Sequence, residues 1–266
     1  MQTKIWAHRG ASYKYIENSL AAFEQAVEDR ADGVELDVQR TLDGELIVFH
    51  DENFKRLTGV NKFVWELTWE EIQALTLSSK NAQVHSLEAS STKIPRLEEV
   101  LFLLRETDLD INIELKNSIY FYPGMEKEVV ECVRNVALEE QVYYSSFNHE
   151  SVHQLSKLVG SKFCGLLTSD IQFGPWHYLN QVGADAYHPM VNSLQQKDLV
   201  KTCHEKSLKV HVWTADKEEY INAGLLLGVD AIITNEPEKA VKIRQQFIDD
   251  GGKKAMESVQ ALGIDI

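Results

Sequence analysis

The chain has 266 residues, 44% of them hydrophobic and 26% charged, which suffices for one enzyme domain with a large core. Its formal net charge of −14 argues against broad binding to nucleic acid or to anionic membranes. Three widely spaced cysteines support neither a disulfide framework nor a zinc motif.

The N-terminus enters the first predicted strand at once and shows no signal peptide. No apolar run approaches the about 18 residues that a membrane span requires. We therefore expect a cytoplasmic protein without stable membrane insertion.

Apolar β-like runs alternate with helical patterns along most of the chain. Strands are predicted at Ile5 to His8, Val34 to Val38, Ile111 to Lys116, Val142 to Phe147, Phe163 to Leu167, Ala186 to Pro189, Val210 to Thr214 and Ala231 to Thr234. Helices are predicted at Ser19 to Asp29, Leu97 to Glu106, Glu126 to Leu138, Glu150 to Leu158, Lys197 to Lys206 and Lys217 to Leu227. Because regular βα alternation favours a parallel sheet, the predicted fold class is α/β, a (β/α)₈ TIM barrel.

Polar residues interrupt the second strand in a regular way. Side chains alternate along a strand, so Glu35 and Asp37 project from one face about 7 Å apart, with Leu36 on the other face. Two carboxylates placed in this way can hold one hard cation.

The second strand leads into a hairpin signal centred on Asp43-Gly44, followed by an apolar return strand that ends at His50. If Asp43 and Gly44 are the two turn residues, His50 lies opposite Asp37. The hairpin register alone then predicts a histidine level with the carboxylates.

Residues 51 to about 93, after His50-Asp51, do not follow the βα alternation. They contain a short helix candidate at Trp69 to Leu75 and a polar, Ser-rich stretch. We expect a small insertion after the hairpin, which either caps one side of the pocket and helps to choose the leaving group or is only a packed excursion.

The third strand ends with Glu114 and Lys116 on one face, which adds a third carboxylate and a cation. Three carboxylates on one Mg²⁺ or Ca²⁺ leave positions open for water and a substrate oxygen, and oxygen-only ligands favour these ions over zinc. Because unpaired charges at the ends of buried strands are costly, we expect these charged residues to serve one common function. Metal-assisted phosphoester hydrolysis fits this set of residues.

We expect the barrel domain to cover residues 1–247, with the insertion at about 51–93. Residues 248–266 change in character and are predicted to form a C-terminal tail. The tail is either an appendage that supports a homo-oligomer or a frayed helix.

Several motifs follow one another in the order of a known family. They are His8-Arg9-Gly10, Glu17-Asn18-Ser19, Glu35 to Val38, Val48 to Asp51, Ile94 to Leu101, Asn112 to Lys116, Ser145 to Phe147 and Val212 to Thr214. From about residue 4 to about residue 245 the chain resembles the glycerophosphodiester phosphodiesterase family, in its cytoplasmic bacterial type. Two departures from the usual pattern are Ser19, which replaces a threonine, and Asn235, where an aspartate often follows Thr234.

The resemblance implies a barrel enzyme that hydrolyses glycerophosphodiesters to sn-glycerol 3-phosphate and an alcohol, with Mg²⁺ or Ca²⁺ as cofactor. It implies that Glu35, Asp37 and Glu114 bind the ion. It also implies that His8 and His50 serve as general acid and base. Which histidine has which role, and whether water attacks directly or a cyclic phosphate forms first, stay open at this stage.

A second set of residues is expected to contact the substrate. Arg9 offers a planar fork for phosphate oxygens and Lys116 a point charge, and both would balance charge on the pentacoordinate phosphorus. Asn18 is a hydrogen-bonding candidate in the same pocket. Phe147 and Trp213 are candidates for apolar walls around the glycerol or the leaving group.

Two alternatives differ in substrate or in class. A lysophospholipase D or another phosphodiesterase on the same barrel would accommodate a lipid chain at Phe54, Phe63, Val64 and Trp65, and its rate would depend on that chain. A non-catalytic module would bind a glycerophosphodiester without turnover. The retention of both histidines and all three carboxylates argues against the second alternative.

Overall fold

The computed structural model describes residues 2–78, 92–259, 262 and 264, and a closed ring of parallel strands lies at its centre. The strands are β1 Lys4–His8, β2 Gly33–Arg40, β3 Leu46–Val48, β4 Asp110–Leu115, β5 Val142–Ser146, β6 Cys164–Thr168, β7 Ala186–Pro189, β8 Lys209–Val212 and β9 Ala231–Thr234. β1 pairs with both β2 and β9 and so closes the ring, whereas β3 lies outside it, antiparallel to β2. The predicted (β/α)₈ TIM barrel is confirmed.

Helices connect the strands and include every helix predicted from the sequence, with slightly different ends. They are α1 Leu20–Glu28, α2 Lys55–Thr58, α3 Trp69–Gln73, α4 Leu97–Leu104, α5 Met125–Asn135, α6 His149–Val159, α7 Pro175–Val182, α8 Leu199–Glu205, α9 Glu218–Leu227, α10 Pro237–Asp250 and α11 Lys253–Val259. Short 3₁₀ turns lie at Val64–Glu66, Ser161–Phe163 and Val191–Gln195. Within the described ranges, none of the helices has both the length and the apolar character that crossing a membrane requires.

The main hydrophobic core lies between the strands and the surrounding helices. Leu36 and Ile113 alternate with the polar residues of β2 and β4, and both are fully buried in this core. On α1, the buried Phe23 packs into the same core. Ser19 caps that helix, because its side chain accepts a hydrogen bond from Ala22 N–H at 3.2 Å. The strand alternation thus sends apolar side chains outwards and leaves the polar ones for the barrel interior.

The register of the β2–β3 hairpin differs from the prediction. Val38 pairs with Val48, and Phe49 N–H donates to Asp37 O at 3.0 Å. Phe49 therefore lies opposite Asp37. The predicted pairing of Asp37 with His50 was wrong by one residue.

The physical reason is a longer turn. Thr41 N–H donates to Glu45 O at 2.9 Å, so three residues form the loop where two were expected. Gly44 has a φ of +95°, a conformation that favours glycine. Because a shift of one residue exchanges the two faces of a strand, the ladder does not direct His50 towards the carboxylates. His50 instead lies beyond the end of β3, where the chain has left the ladder.

The insertion has a small core of its own. Phe54, Leu57 and Ile72 are buried together with Phe49 and Ile94. The Ser-rich part at 79–91 lies outside the described residues. A role of the insertion in choosing the leaving group stays a prediction.

At the C-terminal end, α10 runs through residue 247, and α11 packs against α9. Val259 of α11 is buried in the main core, and Asn222 Nδ2 of α9 donates to Ser258 Oγ at 2.8 Å. The division into a barrel of residues 1–247 and a tail of residues 248–266 stays a prediction. The contacts of α11 favour its inclusion in the outer layer of the barrel.

A pair of histidines is buried in the barrel. His188 on β7 and His211 on β8 bring ring nitrogens within 2.8 Å, and the His211 ring lies edge-on to Trp6 with centroids 4.6 Å apart. Burial lowers the pKa of His188 to about 3. Burial, followed by the charges of His188, Lys209 and Lys4, lowers the pKa of His211 well below its usual value. Both imidazoles are therefore neutral at pH 7.

We predict that this pair weakens the fold in acid. The folded state resists protonation, whereas unfolded histidines bind protons below about pH 6.5. The free energy of unfolding should therefore fall as the pH drops below that value, by at most about 1.4 kcal/mol per pH unit for each histidine. Urea denaturation at several pH values should show a smaller slope for His211→Gln than for the wild type.

The control for this prediction is His153→Gln, because His153 is a half-buried histidine on α6. It should leave the pH slope close to that of the wild type. An unchanged slope in His211→Gln would contradict the prediction.

Candidate active site

The predicted carboxylates meet at the C-terminal end of the barrel. β2 and β4 run side by side in a register that places Asp37 next to Glu114 and Glu35 next to Asn112. Ligand oxygens of Glu35, Asp37 and Glu114 lie within 4.8 Å of one another, and all three side chains are buried. The local alternation of two parallel strands is thus sufficient to build the cluster.

The buried carboxylates repel one another. Burial, followed by the charges of Asp37 and Glu114, raises the pKa of Glu35 well above its usual value. Burial also raises the pKa of Glu114, although Lys116 Nζ donates to Glu114 Oε1 at 2.9 Å and opposes this shift. The positive charges of the protein therefore do not fully compensate the cluster.

Two oxygens of the cluster lack hydrogen-bond partners. Glu35 Oε1 and Asp37 Oδ1 are buried and accept no hydrogen bond from the described residues. A divalent cation between the carboxylates would coordinate such oxygens and remove their repulsion. Carboxylate oxygens are the ligands that Mg²⁺ and Ca²⁺ prefer. The residues present fit a hard divalent ion.

Cationic and amide groups border Asp37. Arg9 Nε lies 3.3 Å from Asp37 Oδ2, and Lys116 Nζ lies 3.7 Å from Asp37 Oδ1. Asn18 Nδ2 donates to Asp37 Oδ2 at 2.8 Å. Burial alone would raise the pKa of Asp37, but the charges of His50, Arg9 and Lys116 and this hydrogen bond lower it below its usual range. Asp37 is the carboxylate of the cluster that the protein itself keeps ionised.

His8, the last residue of β1, faces two different partners. Its Nδ1 lies 2.7 Å from Asn235 Oδ1, and its Nε2 lies 3.8 Å from Glu35 Oε2. Because an amide oxygen can only accept, Nδ1 carries the proton and Nε2 keeps its lone pair. Burial, followed by the charge of Arg9, lowers the pKa of His8 to about 4. The neutral imidazole presents an acceptor to the site.

His50 is held by a chain of charged hydrogen bonds. Its Nδ1 lies 2.8 Å from Asp51 Oδ1, and Arg56 Nε donates to Asp51 Oδ2 at 2.6 Å. Arg56 also donates two hydrogen bonds to Glu17, from Nη1 to Oε2 at 2.8 Å and from Nη2 to Oε1 at 2.7 Å. Glu17 in turn accepts from Arg9 Nη1 at 2.7 Å. His50 and Arg9 are thus linked through residues outside the carboxylate cluster.

The two predicted aromatic residues form an edge-to-face pair. The rings of Phe147 and Trp213 have centroids 5.5 Å apart and planes at 86°. Lys116 Nζ lies 6.0 Å from the centroid of the Phe147 ring, and Trp213 Nε1 donates to His188 O at 2.9 Å. The structure therefore brings the predicted site residues together. His50 lies close enough for its charge to act on Asp37, and Asp51 and Arg56 hold its ring.

Sequence reasoning missed the residues that orient the two histidines. They are Glu17, Asp51, Arg56, Asp216 and Asn235. Glu17 and Asp51 stand next to predicted residues in the chain, which was a usable signal. Arg56 lies in the insertion, and Asp216 and Asn235 come from separate loops, so no spacing rule connects them to the site.

Known proteins resemble this chain over most of its length. The model of the glycerophosphoryl diester phosphodiesterase family matches residues 8–239. A glycerophosphodiester phosphodiesterase from Bacillus altitudinis is 41% identical over 249 residues, which cover 92% of this chain and 99% of the relative. Another, from Caldanaerobacter subterraneus subsp. tengcongensis, is 38% identical over 91% of this chain and 98% of its own length.

The fold is also similar to that of solved structures. A phosphodiesterase from Oleispira antarctica, solved in complex with the product sn-glycerol-3-phosphate, has a TM-score of 0.77 at 24% identity. The match covers 92% of this chain and 97% of that one.

We predict that a divalent ion binds the three carboxylates and stabilises the fold. A ligand that binds only the folded state adds about 2.7 kcal/mol to the free energy of unfolding at about 100 times its Kd. Thermal melts should therefore show a higher Tm with Mg²⁺ or Ca²⁺ than with excess chelator. Asp37→Asn should abolish this difference.

The matched control for the metal response is Glu126→Gln. Glu126 is equally buried but contacts Asn117 outside the cluster, at 3.2 Å. The metal-dependent rise in Tm should persist in this variant. Equal responses of both variants would exclude the cluster as the metal site.

Proposed function

The chain belongs to the glycerophosphoryl diester phosphodiesterase family, and we propose that it hydrolyses glycerophosphodiesters to sn-glycerol 3-phosphate and an alcohol in a metal-dependent reaction. The observation that carries this proposal is the convergence of three buried carboxylates at one end of the barrel, with His8 beside them. The product found in the Oleispira antarctica phosphodiesterase supports the same product here.

Glu35, Asp37 and Glu114 would hold the ion, Mg²⁺ or Ca²⁺. When bound, such an ion supplies a Lewis acid beside a phosphoryl oxygen. Arg9 and Lys116 border the same carboxylates and are placed to stabilise negative charge that develops on the phosphoryl group. Asn18 fixes the orientation of Asp37 through its hydrogen bond.

The surroundings of the two histidines support different roles. His8 donates its Nδ1 proton to the neutral amide of Asn235 and keeps Nε2 free, which suits a proton acceptor. His50 pairs Nδ1 with the carboxylate of Asp51, a negatively charged partner that suits a proton donor. We assign His8 as the general base and His50 as the general acid that protonates the departing alkoxide. The attacking oxygen belongs either to water or to the neighbouring hydroxyl of the substrate, and in both cases His8 would accept its proton.

The alternative of a lipid substrate is weakened by the insertion residues on which it depended. Phe54 and Val64 are fully buried in the core of the insertion. Trp65 stacks on Phe63 with ring centroids 4.7 Å apart, and of these four side chains only Phe63 is exposed, at 41%. Little apolar surface of this set is available to an acyl chain.

The direct test is the release of glycerol 3-phosphate from glycerophosphocholine by the purified chain, with Mg²⁺ or Ca²⁺ and again with excess chelator. Metal-dependent release is expected. Release only from lysophosphatidylcholine, at a rate that depends on the acyl chain, would favour the lysophospholipase D alternative. Binding without turnover in the presence of metal would favour the non-catalytic module.

We predict that His50→Ala lowers kcat by about 10²- to 10⁴-fold and leaves KM nearly unchanged, because a general acid acts in the transition state. Steady-state kinetics on glycerophosphocholine measure both constants. His204→Ala is the matched control, since His204 pairs with the carboxylate of Asp230 at 2.9 Å. Near-normal turnover of His50→Ala would remove His50 from the mechanism.

A different response is expected for Glu114→Gln. Loss of one carboxylate ligand should weaken metal affinity, so that higher Mg²⁺ or Ca²⁺ concentrations partly restore the rate. The rate as a function of metal concentration tests this, with Glu126→Gln as the buried control. A loss that no metal concentration changes would show that Glu114 has another role.

A further inference from the structure

A line of hydrogen bonds behind His8 determines which of its ring nitrogens carries the proton. His8 Nδ1 lies 2.7 Å from Asn235 Oδ1, and Asn235 Nδ2 donates to Asp216 Oδ2 at 2.6 Å. The other Asp216 oxygen, Oδ1, accepts from the backbone N–H of Asn235 at 2.8 Å and from Thr234 Oγ1 at 3.0 Å. The loops after β8 and β9 therefore meet behind the histidine.

The direction of these hydrogen bonds follows from the chemistry of the groups. The backbone N–H of Asn235 can only donate, and both oxygens of the Asp216 carboxylate can only accept. Asn235 must therefore turn its Nδ2 towards Asp216 and its Oδ1 towards His8. Ser12 Oγ lies 2.8 Å from the same Oδ1 and 2.8 Å from the carbonyl oxygen of His8, so two acceptors share its one proton. An acceptor at this place keeps the His8 proton on Nδ1.

We propose that Asp216 and Asn235 are positioning residues that hold His8 in the tautomer of a proton acceptor. The proposal rests on the proposed function, because that mechanism needs Nε2 of His8 free of a proton. Among the described residues, neither side chain hydrogen-bonds to the carboxylate cluster. His8 is therefore the site residue through which they would act on the reaction.

The variant D216N tests this proposal with almost no change of shape. The new side chain must keep its oxygen towards the backbone N–H of Asn235, so its amide nitrogen faces Asn235 Nδ2, donor against donor. Asn235 can relieve this contact by turning its amide over. It would then present Nδ2 to His8 and move the ring proton to Nε2, where it blocks proton acceptance.

The exchange variant D216N/N235D should restore the line of hydrogen bonds. The amide introduced at position 216 donates to the carboxylate introduced at position 235, and that carboxylate accepts from His8 Nδ1–H. N235D alone brings two carboxylates together, and their repulsion disturbs the same line. A role limited to holding the two loops would not produce this pattern of loss and recovery.

We expect D216N and N235D each to lower kcat on glycerophosphocholine by about 10- to 100-fold, with KM changed by less than about 2-fold. D216N/N235D should recover kcat to within about 5-fold of the wild type. Nitrogen-15 NMR of protein labelled at histidine should show His8 protonated at Nδ1 in the wild type and in the exchange variant, and at Nε2 in D216N.

The matched control is D230N at the opposite end of the barrel. The Asp230 carboxylate also accepts from a backbone N–H, that of Val210 at 2.8 Å, and from His204 at 2.9 Å. This variant should lower Tm without changing kcat or the His8 signals.

Two results would overturn the proposal in an active enzyme. One is a kcat within about 2-fold of the wild type in D216N and N235D. The other is loss of activity in D216N with His8 still protonated at Nδ1 and no recovery in the exchange variant, since the pair then only holds the loops. A wild type that releases no glycerol 3-phosphate would contradict the proposed function. NMR would then still show which ring nitrogen of His8 carries the proton. A wild-type His8 protonated at Nε2 would overturn the proposal, and a proton that moves from Nδ1 to Nε2 in D216N would support it.

Discussion

At the C-terminal end of the barrel, three carboxylates lie buried with ligand oxygens within 4.8 Å of one another. Two unit charges about 4 Å apart repel by about 4 kcal/mol even at an effective dielectric constant of about 20. Arg9 and Lys116 reduce this repulsion at Asp37, whereas the raised pKa of Glu35 shows that it persists there. The protein therefore keeps one carboxylate ionised by itself and leaves a repulsion that a divalent cation would compensate. The contacts of Arg9, Lys116 and Asn18 with Asp37 follow from that constraint.

The two candidate catalytic histidines have different hydrogen-bond partners at Nδ1. A neutral amide behind His8 fixes a proton on Nδ1 without favouring a second one on Nε2. Behind His50 lies instead the carboxylate of Asp51, which Arg56 shares. In the mechanism that we propose, these neighbours give one side chain type two roles, proton acceptor for His8 and proton donor for His50.

The fold and the carboxylate cluster could be predicted because both depend on local regularities. The period of two along β2 and β4 places Glu35, Asp37 and Glu114 on interior faces, and parallel pairing then brings them together. The predicted hairpin register was wrong because the loop has one residue more than expected. A turn signal such as Asp43-Gly44 indicates where the chain turns but not how many residues the loop contains. Asn235 was noticed only as a departure from a family pattern, since its role depends on contacts between residues far apart in the chain.

Closure of the barrel connects the local regularity of the strands with the contacts between residues far apart in the chain. The three carboxylates lie on β2 and β4 and His50 follows β3, so all four come from the first half of the chain. The partner of His8 comes from the last barrel strand, because β1 pairs with β9 and Ala7 lies opposite Thr234. A sheet that had not closed could still form the carboxylate cluster, but His8 would lack Asn235 behind it. The ring closure that completes the core therefore also places Asn235 behind His8. If His8 is the general base that we propose, activity depends on the complete barrel and not on the motif-bearing half alone.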